Sequence, residues 1–140
     1  MLRSRRPTRT GGARAIAAIL HGDRANHKLQ ALDLWECGIG ASGAEALARA
    51  LQRNRGLRTL ELRGNRIGDA GAVALADAMP HNNALSTLDL IGNEIGTKGR
   101  SALINGLHES VANPYLVLFE DGLPHQQWTS WQQKGKADAP

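Results

Sequence analysis

A 28-residue period runs through the middle of the chain and limits what it can fold into. The best-formed copy spans residues 57–84, with Leu57, Leu60, Leu62, Asn65, Ile67, Gly68, Gly71, Leu75, Met79 and Asn82 as its fixed points. The copy before it places Leu29, Leu32, Leu34, Cys37, Ile39, Gly40, Gly43, Leu47, Leu51 and Asn54 at the same intervals. The copy after it has Leu85, Leu88, Leu90, Asn93, Ile95, Gly96, Gly99, Leu103 and Leu107.

Each copy reads as strand, turn and helix. Leu60-Glu-Leu62 alternates apolar and polar, the period of a short half-buried strand. Gly68 and Gly71 punctuate a turn. From Ala72 to Met79 apolar residues recur at three and four, which puts Ala72, Leu75, Ala76 and Met79 on one helical face. One such unit has too little apolar surface to offset its own backbone entropy, so copies must stack and bury one another's leucines. The strands then pair in parallel, copy beside copy.

The pattern L-x-x-L-x-L-x-x-N/C-x-L, continued by I-G-x-x-G, resembles the leucine-rich repeat, specifically the 28-residue ribonuclease-inhibitor-like kind, over residues 29–107 in full and 12–123 in degraded form. The resemblance implies an α/β class and a short solenoid, a right-handed βα superhelix with parallel strands on the concave face and helices on the convex face. It also implies that Asn65 and Asn93 bond the backbone of adjacent coils, as an amide with donors and acceptor allows. Cys37 takes the same place in the first full copy, and its weakly donating thiol predicts a looser rung there.

The ends of the chain depart from the pattern. Residues 1–14 carry Arg3, Arg5, Arg6, Arg9 and Arg14 with no acid, a charge of +5 against −1 for the rest. We read residues 1–11 as a disordered, solvated basic arm. The other uses that its composition allows are binding of nucleic acid or an anionic membrane surface, or organelle targeting. Residues 12–28 read as a truncated first repeat aligned at Gly12, with Ile16 and Leu20 where Leu75 and Met79 fall, and with a link to Leu29 three residues longer than later ones. Full repeats then cover 29–56, 57–84 and 85–112, and a partial one covers 113–123. In that last copy Leu116-Val-Leu118 falls 28 residues beyond Leu88 and Leu90, with Asp121 at the asparagine place, and Asn113-Pro114 ends the preceding helix. Residues 124–140 form a cap or tail in which Trp128 and Trp131 cover the last core layer, or else serve as a partner's peptide; Lys134 to Pro140 are expected to be disordered.

Gly38-Ile-Gly40-Ala-Ser-Gly43 follows a predicted strand and imitates a dinucleotide-binding fingerprint. Gly40 and Gly43 recur in every copy, however, whereas Gly38 corresponds to Arg66 and Glu94, so the repeat accounts for the motif. His21, His27, His81, His108 and His125 show no metal-ligand spacing, and Cys37 has no second cysteine to complete a zinc site. There is no Walker loop, no nucleophile elbow, and no nucleophile with an evident base. The expectation is a non-enzyme with no cofactor and no metal. A single cysteine excludes an internal disulfide and points to a reducing, cytoplasmic setting, with an organelle or a delivered effector as the alternatives. No apolar run approaches the roughly 18 residues that span a bilayer.

The repeat register also predicts a binding surface. Residues between the inward leucines face the concave side and stack in rows about 4.8 Å apart. These rows are Ala31, Thr59 and Thr87; then Asp33, Glu61 and Asp89; then Trp35, Arg63 and Ile91; then Glu36, Gly64 and Gly92. Three carboxylates in one row repel unless a cation lies near, for which Arg63 and Arg58 are candidates. The row is either a tolerated solvated feature or, with Trp35 and Ile91 exposed beside it, the receiver of a basic or mixed surface. Tryptophan and arginine are frequent at interface hot spots. The favoured function is a protein–protein interaction module using this face. The alternatives are a regulator resembling Ran GTPase-activating protein, and nucleic-acid binding through the arginine arm.

Overall fold

The computed structural model describes residues 2–3, 10–21, 28–110, 117–119 and 121. Strands and helices alternate: β1 (Leu2–Arg3), α1 (Thr10–His21), β2 (Ala31–Asp33), α2 (Ala41–Leu51), β3 (Thr59–Glu61), α3 (Gly68–Ala78), β4 (Thr87–Asp89), α4 (Thr97–Glu109) and β5 (Val117–Phe119), with a 3-10 turn at Met79–His81 after α3. All five strands lie side by side in chain order, and every pair is parallel.

Leu32, Leu60 and Leu88 stand directly beside one another, as do Asp33, Glu61 and Asp89, so residues 28 apart are neighbours in space. Leu32, Leu34, Leu57, Leu60, Leu62, Leu88 and Leu90 are buried under the strands, and Leu20, Leu47, Leu51, Leu75 and Leu103 meet them from the helices. The predicted helical face of Ala72, Leu75, Ala76 and Met79 is buried throughout, although α3 starts four residues earlier, at Gly68. None of the described helices is long and apolar enough to cross a membrane.

Glycine sets how closely the helices approach. A Cβ on Gly71 would come within 2.5 Å of Ile67 Cγ2 and 3.0 Å of Ala44 Cβ, and one on Gly99 within 2.6 Å of Ile95 Cγ2 and 3.1 Å of Ala72 Cβ. Gly43 is related in the same way to Ile39 and Ala13, which places Ala13 where Ala44 and Ala72 stand in later copies. That geometry matches the alignment of the first helix at Gly12. It also gives Gly43, the last of the fingerprint-like glycines, a packing role.

Two expectations at the ends are corrected. Leu2 and Arg3, expected within a disordered arm, form β1 beside Leu32 and Asp33. This pairing satisfies backbone groups that β2 would otherwise present as a sheet edge. Thr10, assigned to the same arm, opens α1, so the repeat array begins before residue 12. At the other end, Leu118 pairs with Leu88 rather than Leu90, a slip of two residues from the 28-residue register. Ser110 still holds that register, because its hydroxyl donates to the Met79 carbonyl, 31 residues back, as Asn82 does to Leu51. The two added residues therefore lie between Ser110 and Val117, the interval containing Asn113-Pro114. The expected Trp128 and Trp131 cap and the tail after residue 123 lie outside the described residues.

Candidate functional site

The loops that follow the strands are held by an asparagine ladder. Asn65 Oδ1 accepts from the amides of Cys37 and Ile39 at 3.0 and 2.9 Å, while its Nδ2 donates to the Leu34 and Leu62 carbonyls at 2.9 and 2.7 Å. Asn93 repeats the arrangement one coil on, donating to Leu62 and Leu90 at 2.8 and 2.9 Å and accepting from Ile67 at 3.4 Å. Both side chains are buried. At Cys37 the thiol donates to the Trp35 carbonyl of its own coil at 3.5 Å.

A second ladder at the opposite edge carries no role in the sequence reading. Asn54 Oδ1 accepts from Gly56 and Leu57, and its Nδ2 donates to the Leu20 carbonyl. Asn82 accepts from Ala84 and Leu85 and donates to the carbonyls of Leu51 and Asn54. The signal was available, since Asn54 and Asn82 are themselves 28 apart. Asp69 was also missed: its Oδ1 accepts from Gly96 and Gly99 at 2.8 and 2.9 Å, so a carboxylate from one coil caps the first turn of the next helix.

These supports position the strand face. Ala31, Thr59 and Thr87 are half-buried along its floor. The acidic row is less uniform than expected. Asp33 is only 4% exposed, and its Oδ1 accepts the Trp35 amide at 3.0 Å. Asp89 does the same for Ile91 at 3.0 Å and also meets Arg63 at 3.2 Å. Both aspartates thus close a side-chain turn onto their own backbone two residues on, which a short carboxylate does readily. Glu61, one methylene longer, is half-buried in the middle of the row. The solvated three-carboxylate column is corrected accordingly. Of the two candidate cations, Arg63 pairs with the row, whereas Arg58 donates to the Ala84 carbonyl at 3.0 Å.

Beyond the strands, Trp35 is 46% exposed and is the one exposed large hydrophobic among the described residues. Its neighbour in the row, Arg63, has half its side chain in solvent, while Ile91, expected to be exposed, is half-buried. A Cβ on Gly64 would lie 3.3 Å from the Trp35 indole nitrogen and 2.9 Å from Glu36 Cγ, so the indole reaches across the next coil where a glycine leaves room. Glu36 is exposed and adopts φ 50°, a left-handed conformation that Gly64 and Gly92 provide at the equivalent positions with φ 69° and 71°. At the end of the face, Asp121 accepts the Gly92 amide at 2.5 Å instead of occupying the asparagine place. Among the described residues no three His, Cys, Asp or Glu side chains gather as a metal site would require.

Three stretches, residues 25–48, 53–76 and 81–103, match the family model described as Leucine Rich repeat. No curated protein matches the sequence. Among solved structures, that of leiomodin-1 actin-binding site 2 is similar with a TM-score of 0.68 at 18% identity, covering 92% of this chain and 75% of that one.

Proposed function

The chain belongs to the leucine-rich-repeat family, and on that premise we propose that it binds a partner protein across its open strand face. The observation that carries this reading is Trp35, a large indole held 46% exposed at the rim of the face beside the half-exposed guanidinium of Arg63. Burying an aromatic of this kind in a partner's pocket is a recurrent source of binding energy. Thr59, Thr87 and Glu61 supply a polar floor, and Glu36 and Arg63 supply charges of both signs at the rim. Asp33 and Asp89 act chiefly as turn formers, so the contact surface centres on Trp35, Glu36, Glu61 and Arg63.

Affinity capture from the native source tests the proposal. Trp35→Ala combined with Glu61→Lys is expected to lose the partner, while Arg49→Glu with Asp77→Lys, on the exposed helical side, is expected to keep it. The reverse pattern would move the site to the helices. Because the structural neighbour is described as an actin-binding site, cosedimentation with filamentous actin is the first direct assay, with the same two variants as arms.

A further inference from the structure

We infer that the edge of the stack where helices lead back into strands binds the phosphate backbone of double-stranded nucleic acid, through Arg53, Arg55 and Arg58. The two edges carry opposite charge. Along the loops that leave the strands stand Glu36, Asp69, Glu94 and Asp121, against Arg63 and Arg66. On the other edge, residues 52–58 hold three arginines and no acid. Lys28 and His81 flank them from the coils on either side, and all five side chains are exposed. Among the described residues no carboxylate pairs with any of the three arginines, whereas Arg63 is matched by Asp89.

Two of these arginines are anchored. Arg55 Nη1 donates to the Gln52 carbonyl at 3.0 Å and to that of Asn54 at 3.4 Å, and Arg58 Nη1 reaches the Ala84 carbonyl of the next coil at 3.0 Å. The buried Asn82 amide joins the two places, since its Nδ2 donates to the same Asn54 carbonyl and its Oδ1 accepts from Ala84. Each guanidinium is thus tethered to the ladder by one nitrogen, which leaves its other N–H donors for an anion. A fork already held in this way loses less freedom when it meets a phosphate. Gln30, Gln52, Asn83 and Ser86 lie around them and add amide and hydroxyl groups of the kind that contact phosphate and sugar oxygens. Trp35, the one exposed large hydrophobic among the described residues, is on the opposite edge. A protein interface would centre on an apolar anchor, a membrane surface would take an inserting one, and a single strand would stack on aromatics. This edge offers charge and hydrogen-bond donors without any of these, which suits a duplex backbone read without regard to sequence. The surface is distinct from the N-terminal arginine arm, and the inference is independent of the strand-face proposal.

Fluorescence anisotropy of a labelled DNA duplex of mixed sequence, titrated with the full chain at low salt, tests the assignment. The expected result is binding that weakens steeply as salt is raised. Arg53→Gln with Arg55→Gln and Arg58→Gln is expected to weaken it about tenfold or more and to reduce the log–log salt slope by about 2.7, the value for three phosphates. Arg14→Gln with Arg66→Gln and Lys98→Gln removes the same charge from exposed positions elsewhere and is expected to keep most of the affinity and slope. Should the first triple variant lose its far-UV dichroism, Arg53→Glu decides alone, because that side chain bonds to none of the described residues. It is expected to weaken binding several-fold. Absence of duplex binding, or a loss no greater than in the second triple variant, would overturn the assignment. So would polyglutamate or anionic phospholipid vesicles that displace the labelled duplex as well as unlabelled duplex does, and these would give the edge to an acidic protein or a membrane surface.

Discussion

Asn65 uses its whole amide on main chain from two coils, accepting twice and donating at least twice from a site 3% exposed. Asn65→Ala removes those bonds and strands the amides of Cys37 and Ile39 in the interior, at a cost on the order of 3 kcal/mol. Asn82 likewise accepts twice and donates twice to main chain at the opposite edge, so Asn82→Ala should cost a similar amount, about 3 kcal/mol by the same reasoning. Chemical denaturation of the two variants compares them directly, and a much smaller loss at Asn82 would make that ladder subsidiary. Glu36 has the opposite sign. Its left-handed backbone is strained by about 1–2 kcal/mol relative to glycine, whereas a glycine there releases about 0.5–1 kcal/mol of extra unfolded-state entropy. Glu36→Gly should therefore stabilise by about 0.5–1 kcal/mol. If the proposed contact surface is right, that variant also weakens partner binding, which separates the residue's use from its conformational cost.

Elements in this chain depend on their neighbours more than on themselves. Gly96, the N-cap of α4, makes no side-chain cap, and the missing acceptor comes from Asp69 in the preceding helix. Asp69→Ala should cost about 1–2 kcal/mol, as removal of a cap does, while Asp69→Asn keeps an acceptor and most of the stability. Glycine substitutions should split according to the space around them. Gly40→Ala meets only the Arg66 carbonyl at 3.9 Å and has an ordinary φ of −94°, so it should be near neutral. Gly106→Ala drives a methyl to 2.6 Å from the Ala76 carbonyl, where backbone must move, and should cost about 1–3 kcal/mol or more. Thermal melts of the pair read this contrast. The repeat elements were legible because every copy spends the same residue types on the same buried places. The Asp69 cap was not, since its counterparts are Ala41 and Thr97 and its bonds run to another coil. The slip of β5 was hidden for a different reason: a shift of two keeps Leu116 and Leu118 on the same face, so alternation alone does not separate the two registers. The register that sets residues 33, 61 and 89 side by side was legible, but their acids look alike in sequence, and only geometry distinguishes aspartates that turn back to their own amides from a glutamate that does not.

Across the whole molecule, the asparagine bonds and the leucine spine tie each full coil to the next, so no coil has a complete core of its own. Leu60 is fully buried and flanked by Leu32 and Leu88, and Asn65 and Asn93 tie coils that are already sharing those leucines. In longer arrays, nearest-neighbour coupling permits one end to unfold before the other. Here the stack is so short that losing a coil exposes a large share of the remaining core. The expected consequence is a single unfolding transition. In a chain carrying Trp128→Phe and Trp131→Phe, Trp35 fluorescence reports the first full coil while far-UV dichroism reports all the helices, and the two urea curves should superimpose. A fluorescence transition at lower urea would mean that the N-terminal coils, with β1 at their edge, come away first. In that event the rim that carries Trp35 would be ordered by its partner rather than by the stack, and its affinity would carry the cost of ordering it.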